Sequence, residues 1–205
     1  MKFDIQLSAV MIGLIICCLV FPFLPMLQLP LWDGALVTAV ESIQAGLLLG
    51  FALFTVFMMR PYALCAQHKQ FWLWSVAWWL MLFGRSTSWG RDYFPDVPKV
   101  YFRAISVCMI APVLFMLGSG TLRQAIHEKF KTATLSLWSV LLVLLGLAVS
   151  DGIEHGRAWA SLLLQQPDYK DLLEELFEFP LIIGLFLISY QLLRVDLKTA
   201  VKKVP

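Results

Sequence analysis

Three glutamates stand close together in the segment DLLEELFEFPLIIGLF, residues 171–186, immediately before a run of apolar residues. Glu174 and Glu178 are four residues apart and Glu175 and Glu178 are three apart, so on a helix these carboxylates share one face. Crowded carboxylates repel one another, and a carboxylate that leaves water holds its proton to a higher pH. The cluster could therefore supply a general acid and a general base to a reaction.

A second acidic group, in the segment DGIEH, repeats this spacing with Asp151, Glu154 and His155. Two carboxylates beside one imidazole form a donor set for a divalent cation. Because carboxylate oxygens dominate the set, the cation would be Mg²⁺, Ca²⁺ or Mn²⁺ rather than Zn²⁺. We interpret these three residues as the candidate metal ligands. The imidazole of His155 could alternatively act as a base.

Arginines form the third group, at Arg85, Arg91 and Arg103. A guanidinium group binds phosphate or carboxylate bidentately and stays charged at physiological pH. The three arginines therefore predict a binding site for an anionic head group. Together with the acidic groups, they indicate acid–base or metal-assisted chemistry on an amphipathic, lipid-type substrate. The candidate catalytic residues are Glu41, Glu175, Glu178 and His155.

The overall composition predicts that the chain lies in a membrane. Of its 205 residues, 60% are hydrophobic and 15% are charged, and the mean hydropathy is +0.76. Soluble domains carry about 45–50% apolar and about 25% charged residues, so this chain has too few polar side chains to cover a water-exposed surface. Its basic residues flank the apolar runs and form no stripe, so we expect no nucleic-acid partner.

Six segments are long and apolar enough to cross a bilayer as helices, which takes about 20 mostly apolar residues. The predicted spans are residues 7–27, 35–59, 70–90, 101–117, 132–155 and 172–193. We expect Pro22 and Pro25 to kink or end the first helix. Because the connecting loops are short, the sequence predicts an all-α, polytopic integral membrane protein with a single transmembrane domain over residues 1–205.

The positions of lysine and arginine predict how the six spans are oriented. One side of the membrane collects Lys2, Arg60, Lys69, Arg123, Lys129, Lys131, Arg194, Lys198, Lys202 and Lys203. The other side mixes fewer basic residues with acidic ones such as Asp92 and Asp96. Since cytoplasmic loops carry the excess of positive charge, both termini are predicted to be cytoplasmic, in the inner (plasma) membrane of a bacterium.

This topology places the ionisable residues of the spans in the periplasmic half of the membrane. The cytoplasmic halves read, for example, GLLLGFALFTVFMM, FWLWSVAWWLMLF and LIIGLFLI, without an ionisable group. Charges inside a membrane are costly and nearly always face the bundle interior or a water-filled cavity. We therefore expect one polar cavity that is open to the periplasm. Its predicted lining is Glu41, Arg85, Arg103, Asp151, Glu154, His155, Glu175 and Glu178.

Three functions fit this pattern. The first is the membrane-embedded enzyme described above, and the second is a non-catalytic ligand-binding or assembly subunit of a membrane complex. The third is a proton- or ion-coupled transporter, which is disfavoured because a transport path needs polar residues through the midplane. The charges could also form a structural ion-pair network, with an arginine clamping Glu41 or Glu178.

Partners and cofactors follow from the same residues. Gly46 and Gly50 form a G-x-x-x-G pattern, which is typical of close helix packing, expected here within the chain and otherwise in a homo-oligomer or larger membrane complex. No haem is expected, because His68 and His127 fall in predicted cytoplasmic loops, and no dinucleotide cofactor is indicated. A divalent cation is the cofactor left open. The expected partners are membrane lipids and a lipid-like substrate.

Overall fold

The structure, a computed structural model, describes residues 2–59, 64–91, 93–164 and 166–201. Over these residues the protein is all-α, 83% helical, with seven α-helices. At this level the predicted fold class is confirmed. Four residues that enter the predicted topology, Arg60, Asp92, Lys202 and Lys203, lie outside the described residues.

The seven α-helices and two short β-strands follow one another along the chain. In order, they are β1 (Lys2–Asp4), α1 (Ala9–Val20), α2 (Ala35–Met59), α3 (Ala66–Ser86), α4 (Lys99–Leu117), α5 (Gly120–Thr132), β2 (Thr134–Ser136), α6 (Leu137–Glu154) and α7 (Lys170–Val201). Short 3-10 helices occur at Phe21–Leu27, Trp32–Gly34, Ser88–Gly90, Ala158–Leu162 and Pro167–Tyr169.

Five helical segments are long and apolar enough to cross a membrane. They are Ala9–Leu27, Trp32–Met59, Lys99–Leu117, Leu137–Glu154 and Pro167–Ala200. They correspond to the first, second, fourth, fifth and sixth predicted spans. The third predicted span also forms a helix, α3, but it is not among the five. Its tryptophans and its polar first turn, which holds His68 and Lys69, keep its mean hydropathy low.

The first two helices follow the predicted spans closely. α2 has the predicted bounds, Ala35–Met59. α1 ends at Val20 and continues as a 3-10 helix that contains Pro22 and Pro25. Proline has no N–H to donate to the preceding turn, which explains why the α-helical pattern stops there.

The segment before the fifth span, predicted as a loop, is instead the helix α5. Leu122 and Ala125 are buried on one face of α5, while Arg123, Glu128 and Lys131 are exposed, as in a helix that covers a core with one stripe. The assignment of His127 to a loop is therefore wrong, and His68 lies in the first turn of α3 rather than in a loop.

The chain divides into two compact units, each with its own group of buried apolar side chains. Among the described residues, unit 1 comprises residues 42–133 and 192–201, and unit 2 comprises residues 2–41 and 134–191. The boundaries fall within α2, between α5 and β2, and within α7.

Two parallel strands, which the sequence does not predict, tie the start of the chain to α6 in unit 2. Lys2 of β1 lies opposite Thr134 of β2. Because β2 occupies these residues, α6 begins at Leu137, later than predicted. Nε1 of Trp138 then donates a hydrogen bond to the backbone oxygen of Ile5 at 3.0 Å.

Glycines allow α6 and α7 to pack closely in unit 2. A Cβ atom on Gly146 would lie 2.7 Å from the backbone nitrogen of Leu181. A Cβ atom on Gly184 would lie 2.8 Å from Cγ2 of Val143. Real Cβ atoms are not found so close to other heavy atoms, so a larger residue at either position would push the helices apart.

In unit 1, α3 packs against α4 and α5. Nε1 of Trp74 donates a hydrogen bond to the backbone oxygen of Val113 at 3.0 Å, which joins α3 to α4. Trp72 is buried and packs with Leu193 and Leu197 of α7. These contacts join the first half of α3 to α4 and α7.

The G-x-x-x-G pattern of α2 does not mediate close packing among the residues that the structure describes. Cβ atoms on Gly46 and Gly50 would meet no heavy atom within 4 Å. The expected packing of this motif within the chain is therefore wrong. Gly146 and Gly184 make the close helix approach instead.

Candidate functional site

The three arginines predicted to bind an anion line one cavity in unit 1. Arg85, Arg91 and Arg103 share it with a fourth cation, Lys99. The cavity volume is about 530 Å³, within the range of about 300–1,000 Å³ typical of ligand sites. The remaining lining residues are Ser88, Trp89, Phe102 and Ser106. We call this cavity the basic pocket.

The basic pocket forms where α3 ends and α4 begins. Arg85 lies in the last turn of α3, where a cation interacts favourably with the negative end of the helix dipole. Lys99 is the first residue of α4, and Arg103 follows one helical turn later, so the two share a face. Arg91 lies in the connection between the two helices. A short stretch of sequence thus delivers all four cations.

Three of the four cations in the basic pocket lack a carboxylate partner in the described part of the chain. None of the described residues that line it is acidic, and no described carboxylate forms a salt bridge with Arg85, Lys99 or Arg103. The N-cap residue of α4, Pro98, provides no side-chain cap, and the first turn holds no acidic residue. Since cations are unfavourable at the positive end of a helix dipole, an anion bound here would relieve both effects.

The backbone beside the basic pocket is strained. Ser88, Trp89 and Gly90 have φ angles of 47°, 59° and 93°, and left-handed backbone costs a non-glycine residue about 1–2 kcal/mol. Gly84 leaves room for the Trp89 ring, because a Cβ atom there would lie 2.7 Å from Cε3 of Trp89 and 2.6 Å from Sδ of Met109. Strain of this kind clusters at ligand sites, and the two non-glycine residues that carry it, Ser88 and Trp89, both line the basic pocket.

A second cavity in unit 1 also uses Trp89 as a wall. Its volume is about 420 Å³, and its described lining contains no charged residue. The lining includes Ala45, Gly46, Phe83, Gly84, Ile105 and Met109. We call this cavity the apolar groove.

The three candidate metal ligands lie together at the end of α6 in unit 2. Nδ1 of His155 lies 3.3 Å from Oδ1 of Asp151 and 3.8 Å from Oε2 of Glu154. Nη2 of Arg157 lies 2.6 Å from Oδ2 of Asp151, and Nζ of Lys170 donates a hydrogen bond to the backbone oxygen of Glu154 at 3.0 Å. The Asp151 carboxylate is therefore already paired with a cation.

Metal binding gains no support from this arrangement. Among the described residues, no group of three or more His, Cys, Asp or Glu side chains is placed to hold a metal ion. The His155 and Glu154 side chains are 58% and 49% exposed, and ion pairs in such positions contribute little to stability. The metal interpretation stays a prediction.

The candidate catalytic glutamates belong to unit 2 as well. Glu41, Glu175 and Glu178 are each half-buried, and each interacts with another group. Arg85 and Arg103 belong to unit 1. The eight residues of the predicted cavity thus divide between the two units, and the single cavity that would unite them stays a prediction.

Sequence reasoning misses a buried polar cluster in unit 1, centred on Asp196 of α7. The residue is 4% exposed. Nζ of Lys129 lies 2.5 Å from both of its carboxylate oxygens. Nε1 of Trp72 donates to Oδ2 at 2.8 Å, and Nδ1 of His68 lies 3.8 Å from Oδ1. The cluster joins α3, α5 and α7.

Aromatic rings complete the surroundings of the Lys129 ammonium. Its Nζ atom lies 5.3 Å from the ring centroid of Phe71 and 5.5 Å from that of Trp72, both within the range of a cation–π interaction. A buried carboxylate with a cation and an indole N–H is well satisfied, and such pairs commonly have a structural role. We interpret this cluster as a clamp between helices rather than as a binding site.

No family model, no curated protein and no solved structure matches this chain. A function can therefore be inferred only from the residues that the fold brings together, and the basic pocket is the strongest such group.

Proposed function

We propose that this protein binds the anionic head group of an amphipathic, lipid-type molecule in the basic pocket. One observation carries the proposal: Arg85, Arg91, Lys99 and Arg103 line one cavity whose described lining contains no acidic residue. Cations at such close quarters repel one another. A phosphate or carboxylate in the pocket would remove this repulsion and accept charge-assisted hydrogen bonds.

The proposed setting is the inner membrane of a bacterium, with six transmembrane helices and both termini in the cytoplasm. Five apolar helical segments and the 21-residue helix α3 support six spans. The bias of lysine and arginine along the sequence supports the orientation. In this topology the end of α3 and the start of α4 lie on the periplasmic side, and a ligand would reach the basic pocket from the outer leaflet.

Ligand binding without catalysis requires only the basic pocket. It is the function that the geometry supports best. An enzyme would also need catalytic groups that reach the same ligand. The proposed groups are Glu41, Glu175, Glu178 and His155. Catalysis therefore stays a separate proposal with its own test, and membrane lipids are the expected partners in both cases.

The direct test is a binding measurement on the purified full chain in neutral detergent. Palmitoyl lysophosphatidic acid is a suitable probe, because it joins a phosphate to a single hydrocarbon chain. The double variant R85Q/R103Q should bind it at least about tenfold more weakly than the wild type, since each charge-assisted hydrogen bond contributes about 1.5–3 kcal/mol. Microscale thermophoresis would give both dissociation constants.

A matched control removes the same charge elsewhere in unit 1. Arg123 and Lys198 are both exposed and do not line the basic pocket, so R123Q/K198Q should bind the probe as the wild type does. Equal binding by R85Q/R103Q and the wild type would contradict the proposal. An equal loss of affinity in the control would show that net charge, and not the pocket, attracts the probe.

A further inference from the structure

We infer that the apolar groove holds the hydrocarbon chain of the same ligand, so that the ligand is an anionic lipid bound by its head and its chain together. This inference rests on the proposed function of the basic pocket. The link between the two cavities is Trp89, which lines both of them. A lipid with its head in one cavity and its chain in the other would pass along this ring.

The two cavities divide polar from apolar surroundings as an amphipathic ligand requires. All four cations belong to the basic pocket, and the described lining of the apolar groove contains none. Ile105 and Met109 provide aliphatic and thioether surface in the groove, and methionine adapts well to flexible chains. A neutral lipid would leave Arg85, Lys99 and Arg103 without a counter-charge among the described residues, and a small anion would leave the groove unused.

Two glycines give the apolar groove its shape. Gly46 lines it, and a Cβ atom at Gly46 would meet no heavy atom within 4 Å. A side chain at this position would therefore project into open space in or beside the groove. Gly84 acts differently, because a Cβ atom there would lie 2.6 Å from Cζ3 of Trp89 and would displace the ring that the two cavities share.

The class of ligand follows from this complementarity. The head is a phosphate or a carboxylate, which guanidinium groups bind bidentately, and at least one hydrocarbon chain is free to enter the groove. The cavity volumes of about 530 and 420 Å³ are both typical of ligand sites. Anionic glycerolipids and phosphate-linked lipid intermediates share this chemistry.

Photo-crosslinking tests where the hydrocarbon chain of the ligand lies. The probe is a lysophosphatidic acid with a diazirine in its palmitoyl chain, and the reference is the uncharged monoacylglycerol with the same diazirine chain. After illumination of the full-length protein in detergent, peptide mass spectrometry should locate adducts at Ile105 and Met109. The phosphate-bearing probe should give about tenfold more adduct there than the neutral one, the equivalent of about 1.4 kcal/mol of preference.

A matched pair of substitutions on α2 separates groove binding from general lipid contact. G46L should lower the adduct at Ile105 and Met109 about tenfold, because the leucine side chain would exclude about two methylene groups of the ligand from the groove. G50L introduces the same side chain one turn later, also into open space but outside the groove lining, and should leave the adduct unchanged. The adduct positions in the wild type test the inference independently of either variant.

The outcomes distinguish the inference from the proposed function. Adducts at Ile105 and Met109 that disappear in R85Q/R103Q and in G46L, but not in G50L, would support both. Adducts that require the arginines but form at Val107 and Phe115, two exposed residues of α4 outside the groove lining, would contradict binding in the groove. They would leave the proposed function of the basic pocket standing. Adducts that are indifferent to R85Q/R103Q would overturn the proposed function, and the inference with it.

Discussion

The Nζ atom of Lys129 lies 2.5 Å from both carboxylate oxygens of Asp196, deep in unit 1. The Asp196 side chain is 5% exposed and the Lys129 side chain 13%, so both charges are largely removed from water. A buried charge costs several kcal/mol unless it is partnered. The pair therefore stabilises the contact between α5 and α7 only while both members are present.

Breaking this pair should destabilise the protein. K129L alone should lower the stability by about 3 kcal/mol, because it leaves a buried carboxylate without its cation. The double variant K129L/D196L should recover most of the loss, since apolar residues of similar volume can replace a buried pair. Thermal unfolding in detergent would measure both.

The control is K198L, which removes an exposed lysine from α7, the helix that carries Asp196. It should melt close to the wild type. A wild-type melting temperature for K129L would show that the buried pair does not stabilise unit 1. A double variant that is less stable than K129L would show that the pair cannot be replaced by packing.

The close approach of α6 and α7 should depend on Gly146. G146A should destabilise the protein by about 1–3 kcal/mol, because the new methyl group would meet the backbone of Leu181 and Phe177 at 2.7–2.8 Å. G13A on α1 is the matched control, since a Cβ atom there meets no heavy atom within 4 Å. It should stabilise its helix by about 0.5–1 kcal/mol. Equal melting temperatures for the two variants would contradict the packing described for α6 and α7.

The proposed topology requires α3 to cross the membrane. Asp96 follows α3 in the sequence and Cys65 precedes it, so the two positions should lie on opposite sides. A membrane-impermeant thiol reagent applied to spheroplasts should label D96C in a cysteine-free background. It should label Cys65, kept as the single cysteine, only after permeabilisation. Labelling of both positions from outside would show that α3 does not cross.

The proposed catalysis should depend on Glu178. E178Q keeps the shape of the side chain but cannot exchange a proton, and general acid–base catalysis contributes about 10²–10⁴-fold. Any conversion of palmitoyl lysophosphatidic acid, followed by mass spectrometry of the lipid, should fall by about that factor while binding is retained. Unchanged turnover in E178Q would exclude Glu178 as the acid or base. If E178Q instead lowers the amount of folded protein, and a second substitution, R85Q or R103Q, restores that amount, Glu178 belongs to a structural ion-pair network.

The sequence predicts the helices of this protein well where a mostly apolar stretch has charged residues on both sides. α2 has its predicted bounds because its 25 residues contain one charged residue, Glu41, and are flanked by Asp33 and Arg60. α3 is harder to classify, since tryptophan is bulky and favours the membrane interface but adds little to a hydropathy sum. α5 is missed because Gly120–Thr132 is polar on average, and the burial of Leu122 and Ala125 depends on tertiary packing.

Among the polar residues, the sequence predicts contacts between nearby positions and misses a contact between distant ones. Arg85, Arg91 and Arg103 meet in one pocket because a short connection joins the two helices that carry them, so the sequence alone indicates their convergence. Asp196 and Lys129 are 67 residues apart. Asp196 also stands between basic residues near the end of the chain, which is typical of a solvated helix end. Only the folded arrangement of α5 and α7 reveals this pair.

The most direct test of anionic-lipid binding is native mass spectrometry of the wild-type protein. The protein, purified in neutral detergent, would be mixed with equal amounts of palmitoyl lysophosphatidic acid and monopalmitoylglycerol, which share a chain and differ in the phosphate. Binding through the basic pocket predicts at least about tenfold more adduct with the anionic lipid, and loss of that preference in R85Q/R103Q. Equal adducts with both lipids, or a preference that survives in R85Q/R103Q, would contradict it.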